Sequence, residues 1–178
     1  MSTEHLKQAV ILAAFIERVR ELGYLCGETL VQKAAYVMKE LFEVPLEDEF
    51  RIHYYGPFSF QLRDRLAAME ADDIVRVTPR EMGVTYETGS RFEQLRKRFP
   101  RTIAANQLAI DFAARELGAL GVKKLEPITT ALFVTRQHPD MPAKKRIALL
   151  REIKPHVTAG EASTAIARID GWITTTSA

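Results

Sequence analysis

The chain has 178 residues, 47% of them hydrophobic and 27% charged, with a formal net charge of +2. That is an ordinary soluble globular composition, in the usual size range of one domain and long enough to bury a core without covalent staples. A single cysteine, Cys26, excludes an internal disulfide framework and fits a reducing, cytoplasmic setting.

No membrane or targeting segment is expected. The longest uncharged apolar run near the start, Ala9 to Ile16, has eight residues, against the ~20 that span a bilayer. Glu4 and Lys7 cancel where a signal peptide would be basic. The charge is unevenly placed: residues 1–50 hold five Lys/Arg against nine Asp/Glu, and residues 121–178 hold nine against five. The basic C-terminal part can meet an anion such as nucleic acid or an acidic protein, or the two halves can simply attract each other within the fold.

His5 to Leu22 reads as a helix, with Leu6, Val10, Ala13, Ile16 and Val19 on one face and Gly23 as its left-handed terminator. A second helix is expected from about Leu30 to Phe42. Thr29 and Gln32 have the spacing of a capping box at its start. Val31, Ala34, Met38 and Leu41 form its apolar stripe, widened by Leu30, Val37 and Phe42, as in a central helix. Gln32, Lys33, Tyr36, Lys39 and Glu40 fall on its other side. Pro45 and Glu47-Asp48-Glu49 read as a solvated acidic loop.

Next comes Arg51-Ile52-His53-Tyr54-Tyr55-Gly56-Pro57-Phe58-Ser59. Arg51 to Tyr55 reads as a strand, Gly56-Pro57 as a stop, and Ser59 as the cap of another helix. Strand alternation would put Tyr54 and Tyr55 on opposite faces, one in the core and one exposed. The helix after Ser59 turns Leu62, Leu66 and Met69 inward and stops at Asp72-Asp73. Ile74–Val77 and Gly83–Glu87, joined by Thr78–Met82, read as a hairpin, with Arg51–Tyr55 as a candidate third strand.

Ser90 and Glu93 make a second capping box, and Pro100 breaks or kinks the helix that follows. Ala105, Leu108, Ala109, Phe112, Ala113 and Leu120 continue a helical stripe to Gly121. Leu125, Ile128 and Leu132 mark the next helix, with Pro127 in its first turn. A turn over His138–Pro142 leads to a short helix bearing Ile147, Leu150 and Ile153, which Pro155 ends. Thr158 and Glu161 make a third capping box, before Ala162, Ala165, Ile166, Ile169 and Ile173. Thr174 to Ala178 reads as a frayed tail.

The expected fold is mainly α, of the α+β class: a helical domain with a small winged-helix-like antiparallel β element. Residues 1–178 form one domain, with a winged-helix-like half and β-wing in 1–90 and a helical half in 91–173 packed on it. A winged helix places its first strand between its first and second helices; here that strand is read after the second.

Leu30-Val31-Gln32-Lys33-Ala34-Ala35-Tyr36 resembles the Leu-Gln-Lys-hydrophobic-hydrophobic-Tyr signature of SocA/Panacea-like bacterial proteins. Arg51 to Leu66 resembles their Tyr-Gly-Pro segment. It is also similar to the stretch of YwgA-like proteins in which Tyr-Gly-Pro-aromatic-Ser leads into a Leu-containing helix. Both motifs stand in the right order, and the likeness covers roughly residues 5–90. The Panacea pattern has a Trp-Lys-like pair before Tyr-Gly-Pro, where this chain has His53-Tyr54. The resemblance implies a mostly helical fold with a small wing, no catalysis, and a protein partner. Panacea-type members neutralise a toxin by binding it, and SocA delivers a toxin to a protease.

The residues themselves offer no catalytic logic. His5, His53, His138 and His156 are scattered, without the spacing of a metal site, and no motif surrounds Cys26. There is no glycine-rich phosphate loop, so no cofactor and no metal are expected. The candidate partner-binding residues are Gln32, Lys33, Tyr36, Tyr54, Tyr55, Gly56, Pro57 and Phe58, centred on an aromatic turn that either is pinned structure or anchors a partner. For DNA, the helix Ser59–Asp73 would be the recognition helix, but it carries two arginines against four acids. The candidate nucleic-acid-binding residues are Arg91, Arg96, Lys97, Arg98 and Arg101, with Lys144, Lys145 and Arg146; a solvated helix face explains each as well. The expectation is a non-catalytic regulatory binding protein, antitoxin- or adaptor-like, whose partner is a toxin or a protease. The alternative is a winged-helix transcriptional regulator, and an enzyme comes last. Basic clusters converging with the wing would favour DNA; an apolar patch around Tyr55 and Phe58 would favour protein.

Overall fold

Ser2 opens the first helix, α1 (Thr3–Glu21), by accepting the His5 amide on its hydroxyl, and Gly23 closes it at φ +83°. The computed structural model describes residues 2–81 and 83–176. Among them the chain forms eight helices and two antiparallel hairpins, a mainly helical α+β fold. No helix among them is long and apolar enough to cross a membrane.

The second helix, α2 (Glu28–Phe42), is central, as its broad stripe predicts, but it is enclosed further round than expected. Every side chain from Leu30 to Met38 is buried, including Gln32, Lys33 and Tyr36 on the side away from the apolar stripe. The sixth helix and the first hairpin cover that side. Gly27 caps the helix without a side-chain bond, so the Thr29–Gln32 spacing is not a capping box, because Gln32 is engaged elsewhere.

The stretch from Arg51 to Ser59 folds differently from its expected form. Strands β1 (Arg51–His53) and β2 (Gly56–Phe58) pair antiparallel, with His53 opposite Gly56 and Arg51 opposite Phe58. The turn is therefore Tyr54-Tyr55, and Gly56-Pro57 lies inside a strand rather than stopping one. Pro57 is tolerated there because it sits on an edge strand. With both tyrosines in the turn, alternation does not apply and both are exposed. The hairpin forms its own sheet and is not a third strand of the wing. Ser59 caps α3 (Phe60–Ala71) as predicted, accepting from the Leu62 amide at 3.2 Å. The preceding acidic loop is not wholly solvated: Asp48 is buried and ion-paired with Arg65 at 3.2 Å, and burial raises its pKa while Arg65 and Lys39 oppose the rise.

The wing is β3 (Val75–Pro79) and β4 (Val84–Thr88), in register from Val75–Thr88 to Pro79–Val84. Met82, in the expected link, lies outside the described residues. Gly27 bridges to Thr85, and the Tyr86 amide donates to the Cys26 carbonyl at 2.8 Å. The connector between α1 and α2 thus supplies a rudimentary strand at the usual winged-helix position. The displaced strand expected at Arg51–Tyr55 is instead half of a separate hairpin between α2 and α3.

The rest is helical: α4 (Ser90–Arg98), α5 (Pro100–Leu117), α6 (Val122–Gln137), α7 (Ala143–Ile153) and α8 (Ala159–Thr176). Asp73, at φ +50°, takes the capping role expected of Ser90: its carboxylate accepts the Ser90 amide at 3.3 Å, and Gly89 is the cap position. At α8 the capping box is real, with the Thr158 amide on Glu161 Oε2 at 2.9 Å and the Glu161 amide on Thr158 Oγ1 at 3.3 Å. Pro127 sits inside α6, beyond the first turn that was expected to hold it. Thr174 to Thr176 are helical, not frayed, and their hydroxyls donate to carbonyls four residues back at 2.9 Å. Ser177 and Ala178 lie outside the described residues. One hydrophobic cluster runs from Leu6 in α1 to Trp172 in α8 and joins both halves.

Candidate functional site

The hairpin β1–β2 is too short to hold its own shape, since an isolated two-stranded hairpin is marginal in water. Buried polar side chains from two directions, α2 and the end of α7, fix its backbone. Gln32 of α2 grips Ser59 twice: its Nε2 donates to the Ser59 carbonyl at 2.9 Å and its Oε1 accepts the Ser59 amide at 2.9 Å. Lys33, one position on, donates to the Pro57 carbonyl at 2.6 Å. Lys154, just past α7, donates to the His53 carbonyl at 2.7 Å and to the Tyr54 carbonyl.

Gly56 completes the fit. It adopts φ +91°, and a Cβ there would stand 3.1 Å from Thr130 Oγ1 and 3.2 Å from Thr129 Oγ1 of α6. Only glycine meets both demands.

The two lysines and Glu126 form a buried charge cluster around the hairpin. Lys154 Nζ lies 3.0 Å from Glu126 Oε1, with both side chains under 10% exposed, and His156 Nε2 lies 3.3 Å from the same oxygen. Lys33 has no carboxylate of its own within ion-pair distance among the described residues. Burial first, and the nearby Lys154 charge second, pull its pKa down from 10.5 to about 8, with Glu126 opposing. Between those values the unfolded chain holds a proton that the native state does not, so native stability rises with pH across that window. We expect the stability of the wild type relative to Lys33→Met to be flat below pH about 8 and then to climb by roughly 1 kcal/mol per unit toward pH about 10.5. Urea titrations of both proteins at stepped pH measure this. A difference that stays constant from pH 7 to 10 would mean that Lys33 keeps its proton.

What this scaffold holds out is aromatic. Tyr54 is 81% exposed and Tyr55 60%. His53, Phe58 and Phe60 cluster beside them, with Phe58 and Phe60 edge-on at 5.1 Å and Arg63 over the Phe60 ring at 5.0 Å. Between the tip and the start of α2 lies a cavity of about 230 Å³, lined by Glu28, Thr29, Lys33 and the hairpin residues His53 to Gly56 and Phe58.

The structure thus brings Gln32, Lys33, Tyr54, Tyr55, Gly56, Pro57 and Phe58 into one place and divides their roles. Tyr54 and Tyr55 are open, and Phe58 partly so. Gln32, Lys33, Gly56 and Pro57 are buried and hold the backbone. Tyr36 is a correction: it is 3% exposed, packed on Phe50 at 5.1 Å and Phe133 at 6.4 Å, and cannot touch a partner. Sequence reading missed Glu126, Thr129 and Thr130 on α6 and Lys154 just past α7, about 70 to 100 positions downstream.

The basic candidates do not converge. Arg91 pairs with Asp72 at 3.2 Å, Arg96 with Glu17 and Glu93, and Lys97 with Glu93 at 3.8 Å. Arg98 lies over the Phe99 ring at 5.1 Å. Arg146 is a second correction: it is buried, with its guanidinium on Asp170 at 2.7 and 2.9 Å and on Thr135 at 2.9 Å. Arg101, Lys144 and Lys145 are exposed and make no ion pair among the described residues, but they stand on α5 and α7 rather than with the wing. On α3, Arg65 is taken by the buried Asp48 and Arg63 lies 3.8 Å from Asp64. Among the described residues no group of His, Cys, Asp or Glu is arranged to hold a metal ion. No known protein-family model matches the chain, and no curated protein matches it significantly.

Proposed function

We propose that this chain is a non-catalytic regulatory binding protein, antitoxin- or adaptor-like, that works in the cytoplasm by engaging a protein partner through the Tyr54-Tyr55 tip. The observation that supports the reading is the contrast between tip and base. Two tyrosines stand in solvent at the tip of a hairpin whose carbonyls at His53, Tyr54 and Pro57 are held by two buried lysines. A fixed backbone lowers the ordering entropy lost when an aromatic side chain enters a partner's pocket. Tyrosine is also among the residues that most often dominate such contacts. Buried ionisable groups committed to backbone carbonyls serve presentation rather than chemistry.

The test begins with affinity capture from the native host on the full chain, followed by titration of the purified partner. Tyr55→Ala should weaken binding by about 2 kcal/mol or more, while circular dichroism and the melting midpoint stay unchanged. Arg96→Ala with Lys97→Ala should leave the complex intact, because both side chains are spent on Glu17 and Glu93. A silent Tyr55→Ala, together with a salt-dependent affinity for duplex DNA that the basic double variant abolishes, would replace this reading with that of a transcriptional regulator.

A further inference from the structure

Three hollows on the surface share lining residues and so form one band. The cavity beneath the tip shares Glu28 and Thr29 with a second of about 350 Å³. That second hollow is walled by Leu25 from the α1–α2 connector, Val84 of the wing and Val122 of α6. It shares Leu120 with a third of about 440 Å³, where Pro127 and Ile128 of α6 face Thr164 and Ala165 of α8. Four of the seven large apolar side chains left exposed among the described residues line the first two hollows: Tyr54, Tyr55, Leu25 at 62% and Val122 at 40%. Contiguous apolar exposure of this kind marks an interaction surface.

The far end of the band differs in charge. Lys123, Lys124 and Arg168 line the third hollow, and none makes an ion pair among the described residues. Most arginines elsewhere on the surface are paired. The one acid in that hollow, Glu161, accepts from the Thr158 amide at 2.9 Å and the Thr158 hydroxyl at 2.7 Å, which holds its pKa below the ordinary value and keeps it ionised, so the three cations outnumber it and the hollow stays net positive. Glu28, the other acid on the band, stands at the tip end.

We infer that the band is the docking surface for an acidic, amphipathic polypeptide segment of the partner. Apolar side chains of that segment fill the two hollows nearest the tip, and its carboxylates lie toward Lys123, Lys124 and Arg168. This deepens the reading of the tip as a partner site and rests on it. Charge complementarity decides the class of occupant. Arg168 lies over the Trp172 ring at 6.0 Å, but none of the three cations has a carboxylate partner among the described residues. Covering them with a neutral surface would strip their water without return, whereas carboxylates restore the charge balance and fix the direction of the chain. A duplex would need cations along the whole path, but here they occupy one end, beyond an apolar stretch that begins beside Glu28.

A phage-displayed library of random twelve-residue peptides, selected on the full chain, tests this. The enriched peptides should combine apolar residues with aspartate and glutamate gathered toward one end. A synthetic peptide of the consensus, followed by fluorescence anisotropy, should lose about tenfold or more in affinity on Lys123→Glu with Lys124→Glu. It should bind Arg101→Glu with Lys144→Glu as it binds the wild type. Neutral or basic consensus peptides would overturn the inference, as would equal losses in the two double variants, or displacement by duplex DNA that binds more tightly through the same lysines. If Tyr55→Ala weakens the peptide and the Lys123/Lys124 variant does not, the cationic end is refuted and the tip stands. If the lysine variant weakens it and Tyr55→Ala does not, the tip is refuted and the cationic groove stands as a separate site.

Discussion

Lys154→Met is expected to destabilise the protein by about 3–5 kcal/mol, because it removes one partner of a buried ion pair and leaves the other charge uncompensated. Lys154 and Glu126 are 5% and 6% exposed, and their charged atoms lie 3.0 Å apart. The same ammonium also satisfies the His53 and Tyr54 carbonyls, so its loss withdraws two hydrogen bonds from the hairpin turn. His156, at 3.3 Å, is the only other basic side chain in ion-pair distance of that carboxylate among the described residues. Glu126→Gln in the Lys154→Met background should recover part of the loss by removing the stranded charge, whereas two independent sites would simply add. Denaturant midpoints of the two single variants and the double variant close this cycle. A loss under about 1 kcal/mol for Lys154→Met would mean that water reaches Glu126 and the cluster is not a buried one.

The cluster also shows where sequence reading stops. The local code was legible: Gly23 ends α1, Ser59 caps α3, Thr158 and Glu161 cap α8, and the apolar stripe of α2 is central. Each of these depends on residues within a few positions of one another. Gln32, Lys33 and the Tyr-Gly-Pro turn were legible as one group of candidate partner-binding residues, and the structure brings them together. What was not legible is how far the polar side of α2 is enclosed, since periodicity assigns a face to each residue but not what covers that face. Gln32 and Tyr36 sit opposite the apolar stripe and are nevertheless buried, because α6 and the hairpin close over them. The same limit applies to Arg146. It belongs to a run of three basic residues, and only the tertiary position of Asp170 separates it from Lys144 and Lys145. The strand alternation argument for Tyr54 and Tyr55 failed for a local reason. Gly56, at φ +91°, lets the chain reverse before the Gly-Pro pair rather than at it.

Gln32→Leu should cost about 2–6 kcal/mol although it keeps the size of the side chain nearly constant. The amide of Gln32 satisfies both the N–H and the C=O of Ser59, each at 2.9 Å, and Gln32 and Ser59 are 0% and 1% exposed. Leucine strands both backbone groups where water does not reach, and a buried group without its partner costs about 1–3 kcal/mol. Gln61→Leu provides the contrast. Gln61 Oε1 accepts the Glu49 amide at 2.8 Å, a bond of the same kind and length, but in an exposed setting. Water can take its place there, so the expected cost is within about 0.5 kcal/mol. The two variants share a chemistry and differ in burial. Equal losses by urea denaturation would therefore show that the bond, and not its seclusion, carries the energy. Because Ser59 also caps α3 through its hydroxyl to the Leu62 amide, Gln32→Leu should loosen the start of that helix as well. Faster hydrogen exchange is expected at Ser59 and Leu62, with protection in α8 unchanged, since α8 is anchored by its own capping box rather than by the hairpin.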